Sequence, residues 1–255
     1  MDNNKPVKLK KTLFSIKSLT KKFPNGFEAL SGIDLEIYEG ECTLIAGANG
    51  SGKTVLMKIL SGLMDSTSGE ILYKGNNLDF YGKSYKSMVG LVFQDADAQI
   101  LGETVEEDIR FGPENLKLPD NEIESRLEDA LAVLELSQKR EFTARHLSGG
   151  EKRRLITAGI LAMGSETVIL DEPFANLDWP GVIQVQKIIK SLKENKKNVI
   201  VLSHELEKIL PLSDRIVILA EGKVQCEGEC EAVLDSLIPA WGVRDPRIAY
   251  NSEEL

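Results

Sequence analysis

Short apolar runs bounded by polar or turn-forming residues recur along the chain and predict its strands. These runs cover residues 13–19, 29–37, 43–46, 89–93, 167–170, 198–202 and 215–219. The first two are joined by a segment containing Pro24, Asn25 and Gly26, which predicts a turn and a β-rich opening. The last four are largely apolar along their length, as is typical of strands buried on both faces, and predict a mostly parallel sheet.

Other segments show helical spacing. The run at 43–46 is followed by a Gly-rich loop and then by residues 54–60, which have helical spacing. This gives the order strand, loop, helix. Residues 122–136 place apolar side chains at 123, 127, 131, 134 and 136, close to the helical period. Because the chain contains no low-complexity tract, solenoid repeat or linker rich in Gly, Pro or Ser, we expect one domain over residues 1–255. Its helical part is expected as an insertion at about 97–160.

Charge, cysteine count and hydropathy exclude several classes of protein. The chain carries 31 Lys and Arg against 40 Asp and Glu, a formal net charge of −9, which argues against nucleic-acid binding through bulk positive charge. Three cysteines do not form a disulfide framework, and Cys226 with Cys230 lacks the second half of a zinc site. The longest stretches without a charged side chain, 42–52 and 155–165, are shorter than the roughly 20 residues that cross a bilayer as a helix. With no apolar signal region near Met1, we expect a cytosolic chain.

A Gly-rich loop between the run at 43–46 and the helix at 54–60 fits the pattern G-x-x-x-x-G-K-[ST]. Its glycines let backbone N–H groups turn inward around phosphate oxygens, and the helix N-terminus adds partial positive charge. Lys53 can reach the β- and γ-phosphates of a nucleotide, and the Thr54 hydroxyl can ligate Mg²⁺. The expected nucleotide contacts are Gly47, Ala48, Asn49, Gly50, Ser51, Gly52, Lys53, Thr54 and Val55.

Two acids end the apolar run at 167–170, and they are candidates for chemistry at the same nucleotide. In a parallel α/β sheet, ligands gather at the carboxyl ends of the strands, where Asp171 and Glu172 would lie. Asp171 is suited to holding Mg²⁺, and Glu172 to accepting a hydrogen bond from an attacking water. An acidic pair at a strand end is by itself most often a solvated turn, so this interpretation depends on the phosphate loop.

A second anion site precedes another apolar-periodic segment and consists of Leu147, Ser148, Gly149, Gly150 and Glu151. Ser148 is a natural N-cap, and its hydroxyl, the glycine N–H groups and the helix dipole together form a phosphate receptor. Because the phosphate loop already encloses the nucleotide from one side, this second receptor requires another chain. We therefore expect two chains to sandwich the nucleotide between them.

With these motifs in this order, the sequence resembles the ATP-binding-cassette (ABC) ATPases over nearly its whole length. In that family an LSGGE-type signature of one subunit closes over ATP that the other subunit holds. The resemblance implies an α/β fold, the P-loop ABC ATPase fold, with a mostly parallel core sheet, an N-terminal antiparallel β subdomain and an inserted α-helical subdomain. It also implies a D-loop at 175–178 that contains Asp178. In the implied reaction, Lys53 neutralises phosphate charge, Glu172 handles the attacking water and His204 holds the geometry.

Three further site residues are implied by the resemblance. Gln94, which taken alone is a surface glutamine, matches the glutamine that reaches Mg²⁺ and senses the membrane partner. His204 follows the run at 198–202 and matches the histidine that contacts the γ-phosphate. Phe23 matches the aromatic residue that stacks on adenine, where tyrosine is more usual, although core packing is a rival role and Phe27 could take the same place. The other histidine, His146, is expected at the surface.

The segments 92–100, 103–109, 111–116 and 147–163 are similar to those of energy-coupling-factor and cobalt/nickel importer ATPases. This similarity implies ATP and Mg²⁺ as cofactors, and as partners a second ABC ATPase subunit, a transmembrane coupling subunit and a substrate-capturing membrane subunit. It implies a location at the cytoplasmic face of the membrane. The alternatives are a soluble ABC ATPase of DNA repair or translation, the ATPase of another transporter class, and a cassette that does not hydrolyse ATP. The tail, 238–255, is expected to cap the domain.

Overall fold

The computed structural model describes residues 10–248 of the 255. Within that range the chain forms ten strands and nine helices, connected by loops and short 3-10 turns. The strands are β1 (Thr12–Lys22), β2 (Glu28–Tyr38), β3 (Cys42–Ala46), β4 (Ser68–Tyr73), β5 (Asn76–Asn77), β6 (Val89–Val92), β7 (Thr167–Asp171), β8 (Asn198–Ser203), β9 (Arg215–Ala220) and β10 (Lys223–Glu229). The helices are α1 (Lys53–Leu60), α2 (Leu78–Tyr81), α3 (Tyr85–Met88), α4 (Val105–Asn115), α5 (Asp120–Val133), α6 (Gly149–Ala162), α7 (Trp179–Glu194), α8 (Leu206–Ile209) and α9 (Cys230–Asp235).

The first sheet is antiparallel and has the strand order β2-β1-β4-β5. Its hairpin turn is closed by two backbone hydrogen bonds, from the Phe23 N–H to the Phe27 carbonyl at 2.8 Å and from the Gly26 N–H to the Phe23 carbonyl at 2.9 Å. Gly26 has a φ of +85°, a conformation that glycine adopts without steric cost. The predicted β-rich opening, with a turn at 24–26, is confirmed.

The second sheet has the order β10-β9-β3-β8-β7-β6, in which β9, β3, β8, β7 and β6 run parallel and β10 is an antiparallel edge. All residues of β3, β7 and β8 are buried. Successive side chains of a strand point to opposite faces, so a strand covered on both faces shows no polar alternation. The mostly parallel core sheet predicted from the apolar runs is confirmed.

The two faces of this sheet belong to two hydrophobic cores. Leu44 and Leu170 point into a core shared with helices α4 to α7, whereas Ile45 and Ile169 point into a core shared with α1 and the antiparallel sheet. The parallel sheet is therefore the middle layer of the molecule. Its inner strands β3, β7 and β8 are apolar because neither of their faces meets water.

Three helices, α4, α5 and α6, follow one another between β6 and β7 and pack mainly on each other. Helix α4 begins directly after Thr104, the N-cap residue. The Thr104 hydroxyl and the Glu107 side chain each accept a backbone N–H of the other residue. Helix α5 begins two residues before the predicted segment at 122–136 and ends at Val133. None of the helices within residues 10–248 has the length and apolar character that a bilayer crossing requires.

Candidate functional site

The phosphate-binding loop lies between β3 and α1, as its sequence predicts. Helix α1 begins at Lys53 immediately behind Gly52, which has a φ of +104°, and Gly50 has a φ of +83°. These left-handed backbone conformations turn the loop inward and are strained for residues other than glycine. The Ser51 N–H closes the loop on the Ala48 carbonyl at 3.1 Å. The loop thus ends at a helix N-terminus, where anions are stabilised.

The outer side of this loop rests on backbone from distant parts of the chain. A Cβ atom on Gly47 would lie 2.1 Å from the Leu219 carbonyl oxygen, and one on Gly52 would lie 2.7 Å from the Ala29 carbonyl oxygen. The Gly222 N–H donates to the Ser51 carbonyl at 3.1 Å. Sequence reasoning did not identify Leu219 or Gly222, whose only local signal is a turn that follows an apolar run.

Lys53 is almost fully buried, with 5% of its surface exposed. Its Nζ donates to the Gly47 carbonyl at 2.7 Å and to the Ala48 carbonyl at 3.1 Å, and it lies 3.6 Å from Glu172 Oε1. Burial lowers the pKa of Lys53, and the negative charge of Glu172 opposes that shift. The ammonium group is therefore held across the loop by two carbonyl oxygens and faces the acids at the end of β7, Asp171 and Glu172.

The two acids occupy the carboxyl end of β7 and are both buried. The Glu172 N–H donates to the Leu202 carbonyl at 2.9 Å, and its φ of +43° marks the sharp turn that ends the strand. Thr54 Oγ1 lies 3.5 Å from Asp171 Oδ2, whereas Asp171 Oδ1 is buried and has no hydrogen-bond partner among residues 10–248. Burial raises the pKa of Asp171, and the Glu172 charge raises it further.

His204 comes directly after β8, the strand beside β7 in the sheet. Its Nδ1 lies 3.0 Å from Glu172 Oε2, while 46% of its side chain is exposed. The Glu172 carboxylate therefore lies between two cationic or polar partners, with one oxygen toward Lys53 and the other toward His204. The parallel register of β7 and β8 produces this contact between residues that are 32 positions apart.

A cavity of about 230 Å³ opens over the loop and the acids. Its lining residues are Phe27, Ala29, Asn49, Gly50, Ser51, Gly52, Lys53, Thr54, Val55, Gln94, Asp171 and Glu172. The predicted residues Phe23, Gly47, Ala48 and His204 are not part of this lining. A larger cavity, of about 510 Å³, lies between α5, α6 and α7 and contains none of the predicted site residues.

The aromatic residue that lines the cavity is Phe27, which is 57% exposed. Phe23 lies behind it, with ring centroids 6.3 Å apart and ring planes inclined by 16°. Lys21 Nζ lies 5.5 Å from the centroid of the Phe23 ring. The sequence assigned adenine stacking to Phe23, with Phe27 as the alternative, and in the structure Phe27 lines the cavity of the phosphate loop whereas Phe23 does not.

The signature residues lie apart from this cavity, at the start of α6. Ser148 caps the helix by accepting from the Glu151 N–H at 3.3 Å, and the Glu151 side chain accepts from the Ser148 N–H at 2.9 Å. Ser148 and Gly149 are exposed, whereas Leu147 and Gly150 are buried. No residue of 147–151 lines the cavity of the phosphate loop. The predicted N-cap at Ser148 is confirmed, and the residue that carries it is exposed.

Two further predicted residues lie near solvent. Asp178, in the segment 175–178, caps α7 by accepting from the Gly181 N–H at 3.0 Å. His146, which was expected at the surface, is exposed.

The signature residue Glu151 forms an ion pair as well as the helix cap. Its carboxylate binds Lys139 Nζ at 2.5 Å, and this contact lowers the pKa of Glu151 to about 2.

Comparison with known proteins places these features in context. A family model described as ABC transporter matches residues 30–175. The chain is 36% identical to the energy-coupling factor transporter ATP-binding protein EcfA of Methanocaldococcus jannaschii, over 94% of this chain and 88% of that protein. It is 37% identical to the cobalt import ATP-binding protein CbiO of Rhodobacter capsulatus, over 92% and 86%. Among solved structures it resembles cbiO1 of Clostridium perfringens, part of the ABC transporter complex cbiONQ, with a TM-score of 0.81, 32% identity, and coverage of 89% and 92%.

Proposed function

The chain belongs to the ABC transporter family and is an ATPase subunit, and from this premise we propose that it powers a membrane importer of the energy-coupling-factor type. The transported substrate would be a vitamin or a cobalt or nickel ion. The observation that carries the catalytic part of the proposal is the position of Glu172. Its carboxylate lies in the cavity of the phosphate loop, 3.6 Å from Lys53 and 3.0 Å from His204.

In the proposed reaction, water attacks the γ-phosphorus of ATP in line with its bond to the bridging β-phosphate oxygen, and this bond breaks to release ADP. Lys53 supplies positive charge at the loop, and the backbone N–H groups behind it hold the phosphate oxygens. Glu172 accepts the proton of the attacking water. His204 holds that carboxylate through its Nδ1 and reaches the γ-phosphate side of the site. The exposure of the imidazole leaves its other face free for this contact.

The oxygen donors beside the loop fit Mg²⁺. Thr54, Asp171 and Gln94 lie at one cavity, and Asp171 Oδ1 is a buried carboxylate oxygen that finds no hydrogen-bond partner in the part of the chain that the structure describes. Mg²⁺ prefers such oxygen ligands and commonly retains several waters. In this proposal these three residues hold the ion, which neutralises charge on the phosphate oxygens.

A second ABC ATPase subunit completes the site. The capped helix tip at Ser148 offers an exposed hydroxyl and backbone N–H groups, yet it is no part of the chain's own cavity. In a head-to-tail pair the signature of each subunit, Leu147–Glu151, closes over the ATP held by the other. Asp178 and the rest of the segment 175–178 then lie at the interface between the two subunits.

The membrane partners in this proposal are a transmembrane coupling subunit and a substrate-capturing subunit, which hold the chain at the cytoplasmic face of the membrane. Gln94 connects them to the chemistry, because it lines the cavity and begins the loop that leads to α4. The side chain of Gln99 fixes this loop by accepting from the Phe93 N–H at 2.6 Å and donating to the Leu91 carbonyl at 2.9 Å. We assign residues 1–255 to one nucleotide-binding domain, with the helices at about 97–160 as its insertion.

The catalytic proposal is tested with the purified chain and its Glu172→Gln variant. We expect the natural chain to release phosphate from MgATP, and the variant to bind ATP in titration calorimetry while its phosphate release falls at least about 100-fold. Glu194→Gln, at an exposed carboxylate that ends α7, is the matched control and should retain activity. If Glu172→Gln released phosphate at nearly the rate of the natural chain, Glu172 would not be the group that accepts the proton of the attacking water.

The transport proposal needs a separate experiment. We would purify the tagged chain from detergent-solubilised membranes of its natural host. A polytopic membrane protein should co-purify with it and stimulate its ATP hydrolysis. Co-sedimentation with ribosomes or DNA instead, with ATPase activity stimulated by either, would favour a soluble ABC ATPase and contradict transport.

A further inference from the structure

The chain beyond β10 and α9 returns to the phosphate loop. After a 3-10 turn at Pro239–Trp241, Gly242 takes a left-handed conformation with a φ of +65°, and its N–H donates to the Pro239 carbonyl at 3.0 Å. A Cβ atom on Gly242 would lie 2.7 Å from the Cβ of Ala48. The next residue, Val243, is buried in the core that also holds α4 to α7. The C-terminal segment 239–243 is thus anchored on one side and packs its glycine against the loop on the other.

Ala48 is the residue through which this contact reaches the nucleotide site. Its carbonyl accepts from Lys53 Nζ at 3.1 Å and from the Ser51 N–H at 3.1 Å. A displacement of Ala48 therefore moves an oxygen that holds the buried lysine and closes the loop. Gly242 itself makes no hydrogen bond to Ala48 among those observed between described residues, so the contact depends on packing alone.

The close approach explains why position 242 is glycine. A larger residue would be strained by the positive φ and would also overlap Ala48, which the loop's own hydrogen bonds hold in place. Gly40 provides the contrast, because it has a φ of +77° and nothing within 4 Å of a Cβ built on it. The two glycines share the backbone requirement, and only Gly242 adds a contact with the phosphate loop.

We propose that Gly242 is a positioning residue of the nucleotide site, which seats the phosphate loop through Ala48 and couples the C-terminal segment 239–243 to nucleotide binding. This inference rests on the proposed role of residues 47–54 as the ATP cradle. The predicted cap covers residues 238–255, of which 249–255 lie outside the described residues. For the segment 239–243 the inference adds a role in nucleotide binding, because movement of the segment and of the loop would be coupled at the contact between Gly242 and Ala48.

Four variants test the inference: Gly242→Ala, Gly40→Ala, Ala48→Gly and the double variant Gly242→Ala/Ala48→Gly. Gly242→Ala should raise the Kd for MgATP, and the KM of hydrolysis, about fivefold or more, with kcat changed less than about twofold. Gly40→Ala carries the same backbone strain and should leave both constants unchanged. Removing the Ala48 methyl group in the double variant relieves the overlap, and should return Kd to the value of Ala48→Gly alone.

The inference is overturned if Gly242→Ala and Gly40→Ala shift the Kd alike, or if Ala48→Gly gives no rescue. A natural chain that fails to bind MgATP in calorimetry overturns the proposed function as well. Normal binding by the natural chain together with no effect at position 242 overturns this inference alone.

A second measurement avoids dependence on the folding of Gly242→Ala. The chain has two tryptophans, and Trp241 adjoins Gly242 and packs on the core. In a Trp179→Phe background, the fluorescence emission of Trp241 should change as MgATP is added. The MgATP concentration at half of this change should equal the Kd that calorimetry gives. The change should shrink when Ala48→Gly is added, because the contact is then lost. An emission that does not respond to saturating MgATP overturns the coupling.

Discussion

His204 Nδ1 lies 3.0 Å from Glu172 Oε2, and this contact joins the ends of two neighbouring parallel strands. The opposite oxygen of the same carboxylate faces Lys53 Nζ at 3.6 Å. The Glu172 carboxylate is therefore contacted from both sides by side chains of the same chain. Because the hydrogen bond to His204 fixes the direction of the carboxylate lone pairs, it should matter for turnover more than for binding.

Replacing His204 by alanine should reduce kcat about 100-fold and raise the Kd for MgATP by no more than about fivefold, because the imidazole orients Glu172 and makes only one of the proposed contacts with the γ-phosphate. Phosphate-release kinetics and calorimetry on the same preparation measure the two quantities. The matched control is His146→Ala, because His146 is the chain's other histidine and is exposed outside the cavity. An equal loss of activity in both variants would contradict the role of His204.

Lys53→Ala should weaken ATP binding itself, by at least about tenfold in Kd. The substitution removes a buried ammonium and leaves the carboxylates of Asp171 and Glu172 without their neighbouring positive charge. Titration calorimetry with MgATP measures the effect. The control Lys190→Ala removes an exposed lysine of α7 and should bind as the natural chain does. An unchanged Kd in Lys53→Ala would show that Lys53 does not contribute to the binding of ATP.

A hydrolysis-deficient chain should form a dimer when it is saturated with MgATP. In a Glu172→Gln background, light scattering should show the mass of two chains, because ATP is bound jointly by the loop of one and the Ser148 helix tip of the other. Adding Ser148→Arg places a long side chain at that tip and should abolish the dimer. Ser137→Arg, at another exposed serine of the helical region, should not. Persistence of the dimer in the Ser148→Arg chain would contradict this mode of pairing.

The charge of Glu151 should stabilise the fold in a pH-dependent way. Lys139 lowers its pKa to about 2 from an ordinary value of 4.5, so the unfolded chain takes up this proton at higher pH than the folded chain. The stabilisation is complete above about pH 4.5 and is lost as the pH falls toward about 2. Glu151→Gln retains a capping side chain but loses the ion pair, and should cost about 1 kcal/mol in the free energy of unfolding at pH 7.

Urea unfolding of the natural chain and Glu151→Gln at pH 7 and pH 3.5 tests this prediction. The difference between them should be smaller at the lower pH. Glu122→Gln, which removes a more exposed partner of Arg126 on α5, should show no comparable trend. A difference that grows on acidification would mean that Lys139 does not depress the pKa of Glu151.

The sequence by itself determined the elements whose signals are local. The order strand, loop, helix around residues 43–60, the cap at Ser148 and the apolar strands of the parallel sheet are all present where the pattern predicts them. Each of these signals involves residues within a few positions of one another, so neighbouring side chains and backbone groups suffice to specify it. The edge strand β10, which alternates between exposed and half-buried residues, was not predicted, because its polar positions resemble a loop.

Only the tertiary structure decided which of these elements meet. The contact of His204 with Glu172 follows from strand order and register, the approach of Phe27 to the cavity follows from the shape of the β1–β2 turn, and Gly242 reaches Ala48 from the far end of the chain. Such contacts join residues that are distant in sequence, and they exist because packing around two shared cores fixes the positions of whole elements. A local pattern can specify that a strand or a loop forms, but the free energy that places it beside another is spread over both cores.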